Sequence, residues 1–392
     1  MSAPEDIAHA KVVRRERTAA EIVLAVLLIG VVAVAVLVVG ARYGVLLPQA
    51  RFLIEAGANG LKVGRLGRLQ IEGLSGDIWR DIGIRKLTIR DEGGVWLQAD
   101  NVHMTWRYGS LLRRNFYADT ITAQSVKLLR RPTLTAKGKD TGLPVSLHIG
   151  DARARVELTP AFSYVRGVYD LDLNIDVARN EDKRGQVRAT SVLHPGDYLY
   201  VDYDLAKTRP LEFLVDAEEA RDGALAGALG LPSGQPFYFK VAAGGSMAAG
   251  RFGAVAGSGK VEALRAQGDW SADGGAVAGR VILTASTLAA PYARRLGPEA
   301  SFVLAGRRAG PNLFALDARI GAQNLSARAQ GLADVGARRL GPQGVNLTAE
   351  TAELSRITGG PDLGRTRIAG RLTQAGPALR FAGTGAVSQA SF

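Results

Sequence analysis

Few residues in this chain have the types and spacing that chemistry requires. His194 and Asp197 stand three apart, a spacing at which a carboxylate can orient an imidazole base, but no Gly-x-Ser-x-Gly elbow supplies a nucleophile. The stretch therefore reads as a turn, His194-Pro195-Gly196-Asp197. Asp170, Asp172, Asn174 and Asp176, with Glu181 at the twelfth place, have the outline of a calcium loop. The sixth position, which must turn sharply and is normally glycine, is Ile175. Gly257-Ser258-Gly259-Lys260 resembles a phosphate loop, yet Ala254 stands where its first glycine belongs and Val261 follows the lysine. It too reads as a turn.

The histidines His103, His148 and His194 are more than 40 residues apart, without metal-ligand spacing, and the chain has no cysteine. That removes thiolate sites and disulfides together. No catalytic constellation, cofactor or metal is expected, and the chain is read as a non-enzyme. A hydrolase built on His194 is the least favoured of three readings.

The elements that organise the chain are an apolar run and many short strands. Ile22 to Ala41 is free of charge and proline, and fourteen of its twenty residues are Ile, Leu or Val. At about 1.5 Å per residue this makes about 30 Å of helix, enough to span a bilayer. Lys11, Arg14, Arg15 and Arg17 precede it, whereas Arg42 and Arg51 follow, so the positive-inside rule places the N-terminus in the cytoplasm. Val39-Gly40-Ala41 could serve as a cleavage site, but the apolar core is longer than a signal peptide's. Residues 1–21 are thus expected as a cytoplasmic tail, 22–41 as a transmembrane anchor, and the rest as exported. A cysteine-free exported chain suits a bacterial envelope. Residues 1–40 hold four Lys/Arg and four Asp/Glu, so the whole formal charge of +12 lies beyond them and favours anionic partners. Nucleic acid is excluded on that side of the membrane, leaving phospholipid head groups, lipopolysaccharide and acidic glycans.

Beyond a short helix suggested between Tyr43 and Asn59, periodicity two takes over. Apolar residues shift parity from Ile82 and Ile84 to Leu87 and Ile89, and from Val95 and Leu97 to Val102, Met104 and Trp106, which predicts bulges. Ser110 is expected to cap a helical turn before Phe116–Arg130 returns to strand. The cleanest strand alternates Leu171, Leu173, Ile175 and Val177 with Asp170, Asp172, Asn174 and Asp176; Leu199, Val201, Tyr203 and Leu205 form another. Ala217–Leu229 is alanine-rich and predicts a helix ending at Gly230. From Phe237 the pattern is short strands between glycine turns, and an ARRLGP core recurs at Ala293–Pro298 and Ala337–Pro342, 44 residues apart. The 48 glycines imply many turns and bulges. Residues 43–132 are read as a first β module, 133–143 as a linker and 144–392 as a repetitive β-groove region that continues in a longer native chain.

The order GLKVGRLGRLQIEGLSGDI, IRKLTIRDEGG and VWLQADNVHMTWRYGSLLRRNFYADTITAQSVKLLRRP, from Gly60 to Pro132, resembles the start of the exported region of the TamB family, inner-membrane-anchored proteins of the AsmA-like group. HPGDYLYVDYDL at His194–Leu205 and ALAGALGLPSGQP at Ala224–Pro236 extend the likeness weakly. Family members are generally longer and end in a domain linked to an outer-membrane partner, so the chain is read as an N-terminal part. The resemblance implies an all-β exported region, an elongated and curled sheet forming a U-shaped groove, preceded by one transmembrane helix. It implies an inner-membrane, single-pass, largely periplasmic protein that conducts phospholipid along the groove for outer-membrane biogenesis, with an outer-membrane barrel partner of the TamA type. The alternative is a periplasmic scaffold or chaperone assisting outer-membrane protein assembly or autotransporter secretion, through open strand edges. The expected groove residues are Leu171, Leu173, Ile175, Val177, Leu199, Val201, Tyr203 and Leu205. Arg153, Arg155 and Arg188 are expected on its rim, facing phosphate head groups.

Overall fold

The computed structural model describes residues 59–388 except 61, 63–64, 78–79, 135–145, 180–181, 208, 232–233, 286, 288, 361–363 and 376–377. The expected tail at 1–21, anchor at 22–41, all of the expected helix at 43–59 but Asn59, and most of the expected linker at 133–143 lie outside the described residues. No helix among the described residues is long and apolar enough to cross a membrane. The protein is mostly β: nineteen strands belong to one mixed sheet that does not close on itself.

The chain divides into two compact units, Met1–Thr208 with Leu214–Phe237, and Arg209–Phe213 with Tyr238–Phe392. In the first, β1 (Arg68–Asp77), β2 (Asp81–Asp91), β3 (Gly94–Trp106), β4 (Asn115–Leu128), β5 (Ser146–Leu158), β6 (Gly167–Val177), β7 (Lys183–Ser191) and β8 (Tyr198–Asp204) pair in chain order. All these pairs are antiparallel except β4 with β5, which run parallel. One apolar core spans Leu66 to Ala228, so residues 133–143 do not mark the division between units. Strand β9 (Leu211–Glu219) precedes the second unit's β10 (Phe237–Gly245), β11 (Ala249–Ser258), β12 (Val261–Ser271), β13 (Gly274–Ile282), β14 (Glu299–Arg308), β15 (Leu313–Ala322), β16 (Ser326–Asp334), β17 (Arg339–Thr351), β18 (Thr366–Ala375) and β19 (Ala378–Val387). From β10 to β19 every neighbouring pair is antiparallel.

Short helices sit at strand ends: α1 (Pro160–Ser163) and α2 (Ala224–Leu229) in the first unit, α3 (Ala290–Leu296) and α4 (Leu354–Thr358) in the second. The helix expected over Ala217–Leu229 is therefore strand through Glu219 and helix only from Ala224; it does stop at Gly230, where φ is 78°. Ser110 does not cap its turn. It lies inside a 3-10 helix, Tyr108–Arg113, and its hydroxyl donates to the Arg107 and Asn115 carbonyls at 2.6 and 2.8 Å.

The parity changes are present but are not bulges between these partners. Register passes from Ile84↔Val102 to Lys86↔Asp100 without a shift, and Asn101 lies in the left-handed region with φ 49°. Because Arg85 and Asn101 fall at the same level of adjacent strands, both strands change face together and the apolar side stays continuous. True register shifts occur at Ile89/Arg90, Thr105/Trp106, between Ala123 and Val126, and between Ile149 and Ala152. The two ARRLGP copies adopt different structure: the first ends α3, the second runs from a turn into β17.

Candidate apolar track

Pairing partners in a sheet share a face, so the registers show which side chains line up across strands. In the first unit one line runs Leu74, Ile84, Val102, Ala123, Ala154, Leu171, Ala189, Leu199 through all eight strands. The next runs Gly76, Ile82, Met104, Ile121, Ala152, Leu173, Val187, Val201. Every member is apolar. Nearer the strand ends Phe116, Leu128, Leu147 and Ile149 are fully buried, whereas Ile121, Ala123, Ala152, Ala154, Leu171 and Leu173 in mid-strand stay partly exposed.

Of the expected groove residues, Leu171, Leu173, Ile175, Val177 and Leu199 belong to or pack on this core. Val201 pairs with Val187, and Tyr203 with Gly185. The Tyr203 ring lies across that glycine, whose added Cβ would come within 2.9 Å of the Tyr203 oxygen. Burial raises the Tyr203 phenol above its ordinary value. Leu205 follows β8, half-buried, its N–H donating to the Lys183 carbonyl at 2.7 Å.

One end of the first unit's strands is closed by α1 and α2. Arg131 donates from Nε to the Phe162 carbonyl (2.8 Å) and from Nη2 to the Gly227 carbonyl (2.5 Å). Glu219, only 1 % exposed, accepts from the Tyr169 hydroxyl (2.8 Å) and from the N–H groups of Leu225 (2.6 Å) and Ala226 (2.7 Å), the first donors of α2. Burial, reinforced by the charge of Asp197, pushes the Glu219 carboxyl above its ordinary value against the pull of these bonds.

The expected rim is not where Arg153, Arg155 and Arg188 lie. They project from mid-strand on the opposite, polar face, already engaged. Arg153 pairs with Asp151 (3.1 Å) and Asp172 (3.3 Å), and Arg155 with Asp170 (2.9 Å). Arg188 stands opposite Asp172 with its guanidinium over the Tyr200 ring. The reason is the irregularity between Ile149 and Ala152, which turns β5 from odd to even apolar positions and sends Arg153 and Arg155 outward.

The sequence reading extends the β-groove region through residue 392 but names no groove residue in the second unit. There a line runs Val241, Ala254, Ala266, Gly279, Phe302, Ile320, Ala327, Ala349, Ile368, Gly385 through ten strands. Beside it lies Ala243, Phe252, Gly268, Val277, Leu304, Ala318, Ala329, Leu347, Gly370, Gly383. The glycines here are seats for rings: a Cβ on Gly279 would meet Phe302 Cζ at 2.5 Å, and one on Gly268 would meet Phe252 Cε1 at 2.6 Å. This face stays open. Leu304, Ile320 and Phe381 are 43, 46 and 47 % exposed, and among the described residues no second layer of strands or long helices covers it. The other face carries ion pairs, such as Asp317 between Arg319 (3.0 Å) and Arg328 (2.7 Å), whose hydrogen bonds hold that carboxyl far below its usual range.

The remaining motifs are structural. His194 and Asp197 turn β7 into β8: the Asp197 N–H donates to the His194 carbonyl (3.1 Å), and the Ser191 N–H to the Asp197 carbonyl (2.9 Å). The imidazole Nδ1 lies 3.6 Å from the Asp197 carboxylate. Ser191 Oγ accepts from the His194 backbone, not from its ring, so the three do not make a triad. Asp170 to Asp176 are on β6, and Gly259 and Lys260 form the β11–β12 turn. Among the described residues no three His, Cys, Asp or Glu side chains converge on a metal position. No family model, curated protein or solved structure matches the chain.

Proposed function

We propose that the chain is a lipid-conducting bridge, tethered in the bacterial inner membrane by residues 22–41, whose periplasmic sheet carries phospholipid acyl chains toward the outer membrane. The observation that carries this is the open apolar face of the second unit, with Leu304 and Ile320 exposed although every neighbour in their lines is apolar. An uncovered apolar surface of this extent is costly in water, at about 25 cal/mol per Å2, and natural proteins reserve such surfaces for partners. Acyl chains fit because they need only continuity: each CH2 leaving water gains about 0.8 kcal/mol wherever it lies on the track. Lines crossing ten strands at about 4.8 Å spacing extend about 43 Å, more than a bilayer's hydrocarbon core of about 30 Å. The curled, U-shaped form of the sheet and a barrel partner of the TamA type belong to the same proposal and derive from the TamB resemblance.

The test is phospholipid retained by the purified full chain. Leu304→Glu with Leu173→Glu should reduce bound phospholipid several-fold by mass spectrometry, whereas Thr348→Glu, on the polar face, should not. Equal retention in all three would refute the reading. Recovery of unfolded outer-membrane proteins in place of lipid would favour the scaffold alternative.

A further inference from the structure

Several arginines of the second unit are held by carboxylates across the sheet or along the chain. Glu262 holds Arg265, Glu350 holds Arg367, Glu353 holds Arg356, and Asp317 holds two arginines. Arg294 and Arg295 on α3 are not among them. Helix α3 joins β13 to β14 at the end of the apolar lines, and its C-terminus is fastened to the β15–β16 turn. The Asn324 N–H donates to the Leu296 carbonyl (3.0 Å), and its Nδ2 to the Arg295 carbonyl (3.0 Å). So fixed, the helix holds Arg294 and Arg295 outward, both exposed and without a side-chain partner among the described residues. Tyr292, 60 % exposed, lies three residues before Arg295 and so shares its face. Exposed Lys260 and Arg365 lie in other connections at the same strand ends, as do exposed Glu299 and the carboxylates of Glu262, Glu350 and Glu353, which hold other arginines.

Two guanidinium groups beside a phenol, at the margin of an apolar face, match a phospholipid surface: arginine for phosphate oxygens, tyrosine for the boundary between head group and chain. We propose that this α3 lip binds the phosphates of anionic phospholipid at a bilayer surface, docking the second unit where lipid enters or leaves the track. The inference rests on the lipid-bridge reading and replaces the rim that Arg153, Arg155 and Arg188 do not form. The opposite strand ends carry Arg307 and Arg338, also without a side-chain partner among the described residues, but not two cations side by side on a helix with an exposed tyrosine.

The test holds the full chain in phosphatidylcholine nanodiscs and measures capture of vesicles containing phosphatidylglycerol or phosphatidylcholine alone. At about 1 kcal/mol per basic residue near an anionic surface, Arg294→Gln with Arg295→Gln should weaken phosphatidylglycerol capture about 30-fold, and Tyr292→Ser should weaken it further. Arg307→Gln with Arg338→Gln, an equal loss of charge at the other end, should change it less than threefold. Equal losses in the two pairs, or no loss in the first, would overturn the lip. Phospholipid retained on the track of the Arg294/Arg295 variant, measured on the same sample, separates failure of the lip from failure of the bridge.

Discussion

Removing the Glu219 carboxylate should destabilise the first unit more than any surface substitution can. The carboxylate stands at the end of β9, yet its three hydrogen bonds reach the Tyr169 hydroxyl on β6 and the first N–H groups of α2. Glu219→Ala leaves all three donors in a buried site, at about 1 to 3 kcal/mol each before relaxation, so a total of about 3 to 5 kcal/mol is expected. Glu219→Gln keeps the shape but turns an NH2 toward one of the N–H groups, and about 1 to 2 kcal/mol should be lost. The pH dependence has a definite sign. Burial raises this carboxyl, so between its ordinary value near 4.5 and the shifted one the folded unit holds a proton that the unfolded chain has released. This contribution is fully present at the low end of the window and is lost as pH rises through it. Glutamine does not titrate, so the gap between native chain and Glu219→Gln should narrow from low to high pH. Urea unfolding followed by the fluorescence of Trp96 and Trp106, both buried in this unit, measures it. A Glu219→Ala loss below 1 kcal/mol, or a gap that widens with pH, would refute the proposed clasp.

Two further perturbations test the framework around the track. The Asp91 side chain is only 2 % exposed, and this desolvation alone would raise its carboxyl, but Arg130 and the Thr133 and Gly93 N–H groups outweigh it and hold the carboxyl below its ordinary value. Its stabilisation should therefore be present above about pH 4 and vanish as pH falls through the lowered value, and Asp91→Asn should cost about 3 kcal/mol in urea unfolding at pH 7. Gly279→Val places a side chain against the Arg265 carbonyl and the Phe302 ring, so the second unit should lose about 1 to 3 kcal/mol, read from Trp270 fluorescence.

Strand β6 was legible because Leu171, Leu173, Ile175 and Val177 alternate with Asp and Asn, leaving no doubt about which side is wet. The second unit was harder, since its lines are built largely from Ala and Gly, whose face is assigned by partners rather than by their own polarity. The glycines were expected in turns; many occupy strands because a ring on the neighbouring strand needs the space, and that relation exists only in the register. The alanine-rich surroundings of Glu219 read as helix, and nothing local reveals that its carboxylate caps a helix five residues on. Arg153 and Arg155 were misplaced for a related reason: an irregularity at Gly150–Asp151 changes the face of β5, and parity counted along the sequence cannot see it. The His194 turn was legible because Pro195 and Gly196 punctuate it.

The most direct measurement uses neighbours of similar size and equal exposure on opposite faces. Val303 and Leu304 are adjacent on β14, each 43 % exposed, and only Leu304 lies on an apolar line. Photo-crosslinking probes at these two positions in cells, with Leu173 and Asp172 as the corresponding pair on β6, should recover phospholipid on Leu304 and Leu173 alone. Lipid on neither, or equally on Val303 and Asp172, with protein adducts in its place, would contradict the lipid track.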